Sequence, residues 1–237
     1  MKYLLLLVVP MLSACIDGPK VINGKGGVYG TLSADSHPSF NKKLENNPGS
    51  NWIYAEMKSA GVKYQDDMVD YAKLDELYAG LVQTNLPPRQ HQLTATAEGM
   101  SRKSIALATG DTLQLQNNTH RSQNFFVAES SGAGGIQTFP SLAAGATASY
   151  KIDLEGDLEL LSEDNEALKT AIFSKKNMLT QRVSSGGSYQ FDNLDPGSYQ
   201  LIFWYWRLGK IKQTVQIHAE ENVRVDKILT VDSVINH

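Results

Sequence analysis

The segment GDLELLSEDNEALKTAIF, residues 156–173, has the outline of a metal-binding loop. Apolar alternation on both sides predicts two strands, and a short polar turn between them places residues of ligand size at close spacing. Yet the segment contains no Cys, His or Met. The residue types that hold soft metals are therefore missing from the place where the pattern would put them.

The turn itself, SEDNE at residues 162–166, is acidic and offers oxygen atoms to a hard cation. A calcium loop needs alternating oxygen donors around a Gly, which this turn lacks, and a solvated turn explains the same residues. The chain also lacks Gly-x-Ser-x-Gly, His-Glu-x-x-His and a phosphate-binding glycine loop. The sequence therefore predicts a protein without enzymatic activity and without catalytic residues.

A second stretch with chemical potential is FWYWRLGK, residues 203–210. Alternation predicts two faces, with Phe203 and Tyr205 on one and Trp204, Trp206 and Leu208 on the other. Two tryptophans beside the basic Arg207 suit a surface for a partner protein or a glycan. The alternative is that both tryptophans fill a seam between two packed sandwiches, and we favour the seam.

The elements that position these residues are mostly strands. Alternation in VYGTLSA from Val28, and in NWIYAEMKS at residues 51–59, predicts two strands. Beyond Arg89, short alternating runs bounded by Gly, Asn, Asp and Pro turns predict many more, which favours a sandwich or barrel. Residues 201–206 form the strongest candidate for a strand buried on both faces.

One segment predicts a helix instead. In residues 64–83 the apolar side chains recur at spacings of three and four, namely at Met68, Tyr71, Leu74, Tyr78 and Leu81. The pattern predicts an amphipathic helix that ends near Gln83, before Pro87 and Pro88. We expect its Tyr and Met stripe to pack against a sheet.

The N-terminal stretch MKYLLLLVVPMLSAC predicts an export signal, because its apolar run is too short to cross a bilayer and is followed by small residues. Residues 12–15 resemble the lipobox of bacterial lipoproteins, which implies cleavage before Cys15 and acylation of that residue. An ordinary signal peptide cut near Ala14 is the alternative. Since Cys15 is the only cysteine, its acylation leaves no thiol for a disulfide, a metal site or a nucleophile.

The same resemblance implies a location. Ile16 stands where the family's aspartate for inner-membrane retention would be, which favours the outer membrane over the inner one, facing the periplasm. The expected partners are the membrane, through acylated Cys15, and another envelope protein. The net charge of −3 gives no electrostatic reason for a nucleic-acid partner.

Residues 185–204, SGGSYQFDNLDPGSYQLIFW, resemble carboxypeptidase-regulatory or transthyretin-like sandwiches. Gly187 and the pair Pro196-Gly197 supply the turns. Alternation predicts that one group of side chains points to one face and packs against a second group. The first group is Tyr189, Phe191 and Leu194, and the second is Tyr199, Leu201 and Phe203. The resemblance concerns the fold and implies nothing about function.

Residues 91–176 resemble a cupredoxin domain of the kind found in periplasmic proteins called methylamine utilization or plastocyanin-like. GDTLQLQNNTHRSQNFF, from Gly110, matches a family strand and its first ligand segment, with Asn124 and Phe126 at the Asn and Phe positions. Residues 156–173 match the loop that carries the other ligands, with Gly156 at its Gly. The resemblance implies a cupredoxin inserted between the second and third strands of the other sandwich.

The resemblance assigns the four ligand positions to this chain as follows: the first His falls on Gln123, the Cys on Ser162, the second His on Asn165 and the Met on Leu168. A type 1 copper site needs two imidazoles, a thiolate and a weak thioether. None of the four residues supplies its donor. The resemblance therefore implies a cupredoxin fold that has lost its copper site, with no metal and no other cofactor.

Two alternatives retain a metal. A shift of three residues would make His120 the ligand, but residues 124–126 fix the register and leave His120 in the preceding turn. Alternatively, His91, His120 and Met100 gather into an unrelated copper-trafficking site. Five His residues are an ordinary number for a chain of 237, and no His-x-His spacing is present.

The resulting prediction is a mostly β chain of Greek-key sandwiches with one connecting helix. Its expected parts are a signal (1–14), a tether (15–27), a discontinuous regulatory-like sandwich (28–59 and 177–231), a helical connector (60–90) and a degenerate cupredoxin-like domain (91–176). The expected function is a non-catalytic lipoprotein that serves as a binding or assembly module. The alternatives are a copper-handling or electron-transfer protein with recruited ligands, and a glycan-binding module.

Overall fold

The computed structural model describes residues 18, 20–35, 71–130 and 134–230. The export signal, Cys15, the strand predicted at 51–59 and the first part of the predicted helix lie outside these residues. In the described part, no helix has the length and apolarity needed to cross a membrane. The prediction of a mostly β fold built from sandwiches is confirmed.

The described strands are, in chain order, β1 (Gly26–Ala34), β2 (Leu77–Val82), β3 (Gln90–Thr96), β4 (Gly99–Met100), β5 (Ser104–Leu107), β6 (Thr112–Asn117), β7 (Phe125–Glu129), β8 (Ile136–Thr138), β9 (Thr147–Lys151), β10 (Gly156–Ser162), β11 (Lys169–Ser174), β12 (Met178–Val183), β13 (Gly187–Leu194), β14 (Gly197–Tyr205), β15 (Gly209–Ile217), β16 (Asn222–Arg224) and β17 (Lys227–Leu229). A short 3-10 turn, Tyr71–Lys73, precedes β2.

The first unit, which we call the outer sandwich, combines strands from both ends of the chain. One sheet has the order β13-β1-β16, with β17 also paired to β1, and the other has the order β12-β2-β14-β15. Alternating side chains of the two sheets meet in one core. The rings of Tyr189 and Phe203, from opposite sheets, lie 5.4 Å apart edge to face, as the alternation of β13 and β14 predicted.

The second unit, the inserted sandwich, is formed by β3 to β11, which lie between β2 and β12 in the chain. Its sheets have the orders β5-β11-β10-β7-β8 and β4-β3-β6-β9. Inward-facing residues of both sheets, such as Leu115 and Leu160, build a separate core. Each unit therefore buries its own apolar side chains, and the two meet at a third cluster.

This third cluster, the junction cluster, contains Tyr78, Ala106, Phe173, Met178, Ile202 and Trp204. The sheet β12-β2-β14-β15 thus has the outer core on one face and the junction cluster on the other. As a result, all of residues 201–205 are buried, which confirms the prediction of a strand buried on both faces for these five residues. Trp206, the last residue of the predicted strand, lies instead in the following turn and is half-buried. Leu208 differs from its prediction, because it lies in the outer core, whereas Trp204 lies in the junction cluster and Trp206 packs against both clusters.

Polar contacts support the junction beside the apolar cluster. The buried Glu76 carboxylate accepts hydrogen bonds from the backbone N–H groups of Lys103 (3.1 Å) and Ser104 (2.9 Å). The Tyr78 hydroxyl donates to the Ser104 carbonyl at 2.8 Å. Burial, followed by the nearby Glu76 charge, raises the pKa of Tyr78 to about 12, so the hydroxyl keeps its proton and remains a donor.

The helix predicted for residues 64–83, and with it a helical connector up to residue 90, is wrong over its described part. Residues 77–82 form β2, which pairs with β12 and β14. Leu77, Ala79 and Leu81 point into the outer core while Tyr78 points into the junction cluster. A strand covered on both faces has a continuous apolar run, and such a run also satisfies helical spacing.

Candidate functional site

The loop at residues 156–173 is a β-hairpin. Strands β10 and β11 pair antiparallel from Gly156 opposite Ser174 to Leu161 opposite Lys169. Leu158 and Leu160 point into the core of the inserted sandwich. The predicted sequence of strand, polar turn and strand is present, and the hairpin presents the end of β10 to the segment that precedes β7.

Two of the four predicted ligand positions are in direct contact at that end. The Ser162 hydroxyl donates a hydrogen bond to Gln123 Oε1 at 2.7 Å. Both side chains are almost fully buried, with 7% and 3% of their surfaces exposed. The Gln123 amide nitrogen donates in turn to the Thr119 hydroxyl at 3.2 Å. Neutral hydrogen bonds therefore connect the positions where the resemblance places an imidazole and a thiolate.

The other two positions serve the turn and the core. Asn165 Oδ1 accepts a hydrogen bond from the Ala167 N–H at 3.0 Å, and the backbone carbonyl of Asn165 accepts one from the Leu168 N–H at 3.0 Å. This is the local bonding by which Asn stabilises a tight turn. Leu168 is fully buried in the core of the inserted sandwich. Its side chain contributes packing and has no atom that can coordinate a metal.

These residues do not fit copper. Gln, Ser and Asn are weak neutral oxygen or nitrogen donors, whereas a type 1 copper site uses two imidazoles and a thiolate. The side-chain oxygen of Gln123, Oε1, already accepts a hydrogen bond from the Ser162 hydroxyl. In the part of the chain that the structure describes, no group of three or more His, Cys, Asp or Glu side chains is placed to hold a metal ion.

The three residues of the alternative copper site do not gather, because His91 lies at the opposite end of β3 from Met100. His91 pairs with Leu113 near the start of β3, whereas Met100 pairs with Ala95 near its end. Four residues of strand separate these positions, or about 13 Å. His120 lies in the turn that follows β6, as the register argument predicted.

Hydrogen bonds of the acidic turn hold it against the segment that precedes β7. Asp164 Oδ2 accepts a hydrogen bond from the Asn124 N–H at 2.8 Å. The Asp164 N–H donates to the Ser162 hydroxyl at 3.2 Å, and the Glu163 N–H donates to the Asn124 carbonyl at 3.0 Å. The Asp164 carboxylate thus fixes the hairpin against the segment before β7, while the Glu163 side chain is exposed.

His91 has a different partner, the buried carboxylate of Asp111, at 2.7 Å. Asp111 also accepts hydrogen bonds from the N–H groups of Arg89 (2.8 Å) and Ala108 (2.9 Å). Burial alone would raise the pKa of Asp111, but the hydrogen bonds from His91 and the two backbone groups outweigh it and hold the pKa below its usual value. Sequence patterns did not predict this pair, because its members lie 20 residues apart in the chain.

We expect the Asp111→Asn substitution to lower the free energy of unfolding by about 1–3 kcal/mol at pH 7, because a buried acceptor of charged hydrogen bonds is lost. A carboxylate with a depressed pKa stabilises the fold above its unfolded pKa, about 3.9, and that stabilisation is lost as the pH falls through the folded pKa. Urea unfolding at several pH values should therefore show the difference between the two proteins narrowing below about pH 4. The exposed Asp153→Asn change is the control and should have little effect; a pH-independent difference for Asp111→Asn would contradict the assignment.

The tryptophans of β14 and the turn after it occupy two different environments. Trp204 is 4% exposed and lies in the junction cluster, with ring centroids 5.7 Å from both Tyr78 and Phe173. Trp206 is half-buried at the edge of that cluster, and the Arg207 guanidinium lies over its ring at 4.5 Å. Trp204 therefore fills the seam between the sandwiches. Of the three residues predicted for a partner surface, Trp206 and Arg207 reach the surface.

Comparison with known proteins gives only a remote likeness. No protein-family model matches the chain, and no curated protein matches it. Among solved structures, a purple cupredoxin from Nitrosopumilus maritimus is similar at 14% identity and a TM-score of 0.31, covering 35% of this chain and 98% of that one. An amicyanin variant in the Cu(I) state is similar at 10% identity and a TM-score of 0.31, covering 35% and 80%. The chain thus has cupredoxins among its structural neighbours, at low overall similarity.

Proposed function

We propose that this chain is a non-catalytic, lipid-anchored protein of the bacterial cell envelope that serves as a binding or assembly module. The observation that carries the proposal is the buried hydrogen bond between Ser162 and Gln123. It joins the two positions that the cupredoxin resemblance assigns to a thiolate and an imidazole. A hairpin held together in this way supports a structural role for a loop that would otherwise hold copper.

The anchor is the second part of the proposal. Cys15 is the only cysteine of the chain and ends a stretch that resembles a lipobox. Acylation there would hold the folded part at a membrane surface, facing the periplasm, with the outer membrane favoured. A protein fixed in this way meets its partners in the plane of the membrane, where effective concentrations are high.

The packing of the two sandwiches supports an assembly role. The junction combines the apolar junction cluster with the hydrogen bonds of Glu76 and Tyr78 to the backbone at Ser104. Such a junction holds two surfaces in a fixed relation, which favours binding that needs no rearrangement. The expected partner is another protein of the envelope.

The test is the metal content of the full-length protein, isolated in detergent from membranes of cells grown with copper. We expect far less than one copper per chain, no visible absorption and no rise in melting temperature on adding Cu(II), because the ligand positions lack suitable donors. Pull-down from the same membranes would identify the partner.

Stoichiometric copper with a redox wave would overturn the proposal and support the copper-handling alternative. His91→Ala and His120→Ala then decide whether recruited histidines hold the metal. A copper-dependent rise in melting temperature that either substitution removes would assign the site to those residues. Gln123→Ala is the matched variant, because it alters the predicted ligand position without removing a histidine.

A further inference from the structure

A cleft of about 320 Å³ lies where the two sandwiches meet. One wall is the outward face of β10 and β11, and the other is the turn between β14 and β15. Its lining residues include Asp157, Glu159, Trp206, Arg207 and Lys210. We call this the junction cleft. Its volume is at the lower end of the range for small-molecule sites, and it is distinct from the hairpin end at Ser162.

The charges of the junction cleft balance. Asp157 and Glu159 contribute two carboxylates, and Arg207 and Lys210 contribute two cations. Lys210 Nζ lies 2.5 Å from Asp157 Oδ2, so that pair neutralises itself. With that pair set aside, a phosphate or sulfate would meet the Glu159 carboxylate as well as Arg207, and a polyamine would meet the Arg207 guanidinium as well as Glu159. The balance therefore favours an uncharged ligand.

The remaining two charged groups keep hydrogen-bonding capacity for a ligand. Among the described residues, neither the Arg207 guanidinium nor the Glu159 carboxylate forms an ion pair or hydrogen bond. Arg207 is held in place by stacking on Trp206 at 4.5 Å. It offers a planar set of N–H donors, and Glu159 on the opposite wall offers acceptors.

The wall beside Arg207 is aromatic. Trp206 is half-buried, and the buried Trp204 also lines the cleft. Indole rings contribute large apolar contact areas and lose little conformational entropy on binding. A ligand that satisfies this site must therefore present an apolar face and, on its rim, several neutral groups that both donate and accept hydrogen bonds.

We propose that the junction cleft binds a neutral saccharide, whose C–H face contacts the Trp206 and Arg207 wall and whose hydroxyls pair with Glu159 and Arg207. A sugar hydroxyl donates to a carboxylate and accepts from a guanidinium, which matches both walls. This inference rests on the proposed function as a binding module and names the ligand class of one of its surfaces.

The test is isothermal titration calorimetry of the full-length protein in detergent with neutral trisaccharides: maltotriose, cellotriose and triacetylchitotriose. Trigalacturonate and deacetylated chitotriose are the charged comparisons. We expect saturable binding of a neutral probe and weaker or no binding of either charged one. Glu159→Gln and Arg207→Ala should each weaken binding about tenfold, the loss expected for a charged hydrogen bond.

Matched controls come from exposed residues outside the cleft, namely Glu163→Gln and Arg224→Ala, which should leave the affinity unchanged. Trp206→Ala should abolish binding, and the two charge variants keep the test valid if that variant folds poorly. Absence of saturable binding to every neutral probe, preference for either charged probe, or equal affinities of cleft and control variants would overturn the inference. The copper content of the protein is measured independently of saccharide binding. A failure of this inference is therefore distinguishable from a failure of the proposed function.

Discussion

Replacing Trp204 by alanine is expected to lower the free energy of unfolding by about 3–5 kcal/mol, the cost of removing a large buried aromatic side chain. Trp204 is 4% exposed and contacts groups from both sandwiches, with Tyr78 on one side and Phe173 on the other. Its removal leaves a cavity at the only apolar junction that the described residues form between the two units. Urea unfolding followed by circular dichroism measures the loss.

The size of the loss distinguishes a junction residue from a surface residue. Trp204→Phe keeps an aromatic ring in the cluster and should cost less than half as much. Ile228→Ala, at an exposed side chain of β17, is the control and should cost little. If Trp204→Ala unfolds with the midpoint of the wild type, Trp204 does not join the sandwiches and the seam interpretation is wrong.

Strands with a clean alternation were predictable from sequence because their environment is simple. In β13, Tyr189 and Phe191 face the core while Gln190 and Asp192 face solvent, so the period of two is visible in the letters. The turn after β13 is equally visible, since Pro196 restricts the backbone and Gly197 follows at a positive φ of 158°. Local chemistry decides both features.

The strand β2 was not predictable in this way, because a distant part of the chain decides its environment. Tyr78 faces the inserted sandwich, where it donates to the carbonyl of Ser104. Without that unit, Tyr78 would be a solvent-facing residue and the strand would alternate. The local sequence of β2 does not show that a second domain buries its outer face. Its continuous run of buried residues therefore also satisfies helical spacing.

The candidate site also combines features that the local sequence predicts with features that only tertiary packing decides. The hairpin at 156–173 and its ligand-sized residues follow from local pattern, but the contact of Ser162 with Gln123 joins residues 39 positions apart. The pairing of His91 with Asp111 and the junction cleft also depend on tertiary packing. The sequence therefore predicts which side chains the hairpin carries, and the fold decides what each one contacts.

A gain of metal binding is the second large effect we expect. The fourfold variant Gln123→His, Ser162→Cys, Asn165→His and Leu168→Met should retain about one Cu(II) per chain, with visible thiolate-to-copper absorption that the parent lacks. The first two positions are within 2.7 Å of each other through their side-chain oxygens, so an imidazole and a thiolate there reach a shared ion. Together the four substitutions supply the ligand set that copper requires. Copper analysis after gel filtration and absorption spectroscopy measure the result.

The metal-free variant should be less stable than the parent, because it loses the buried Ser162 hydrogen bond and the packing of Leu168. Copper should restore that stability, since a ligand that binds only the folded state stabilises it by mass action. The matched control carries Glu163→Cys in place of Ser162→Cys. A shift of one residue turns the thiol to the exposed side of the strand end, so the control should hold copper weakly and without the absorption band. Equal copper binding by both variants would mean that the hairpin does not align with a cupredoxin ligand loop, and the idea that this chain has lost a copper site would fall with it.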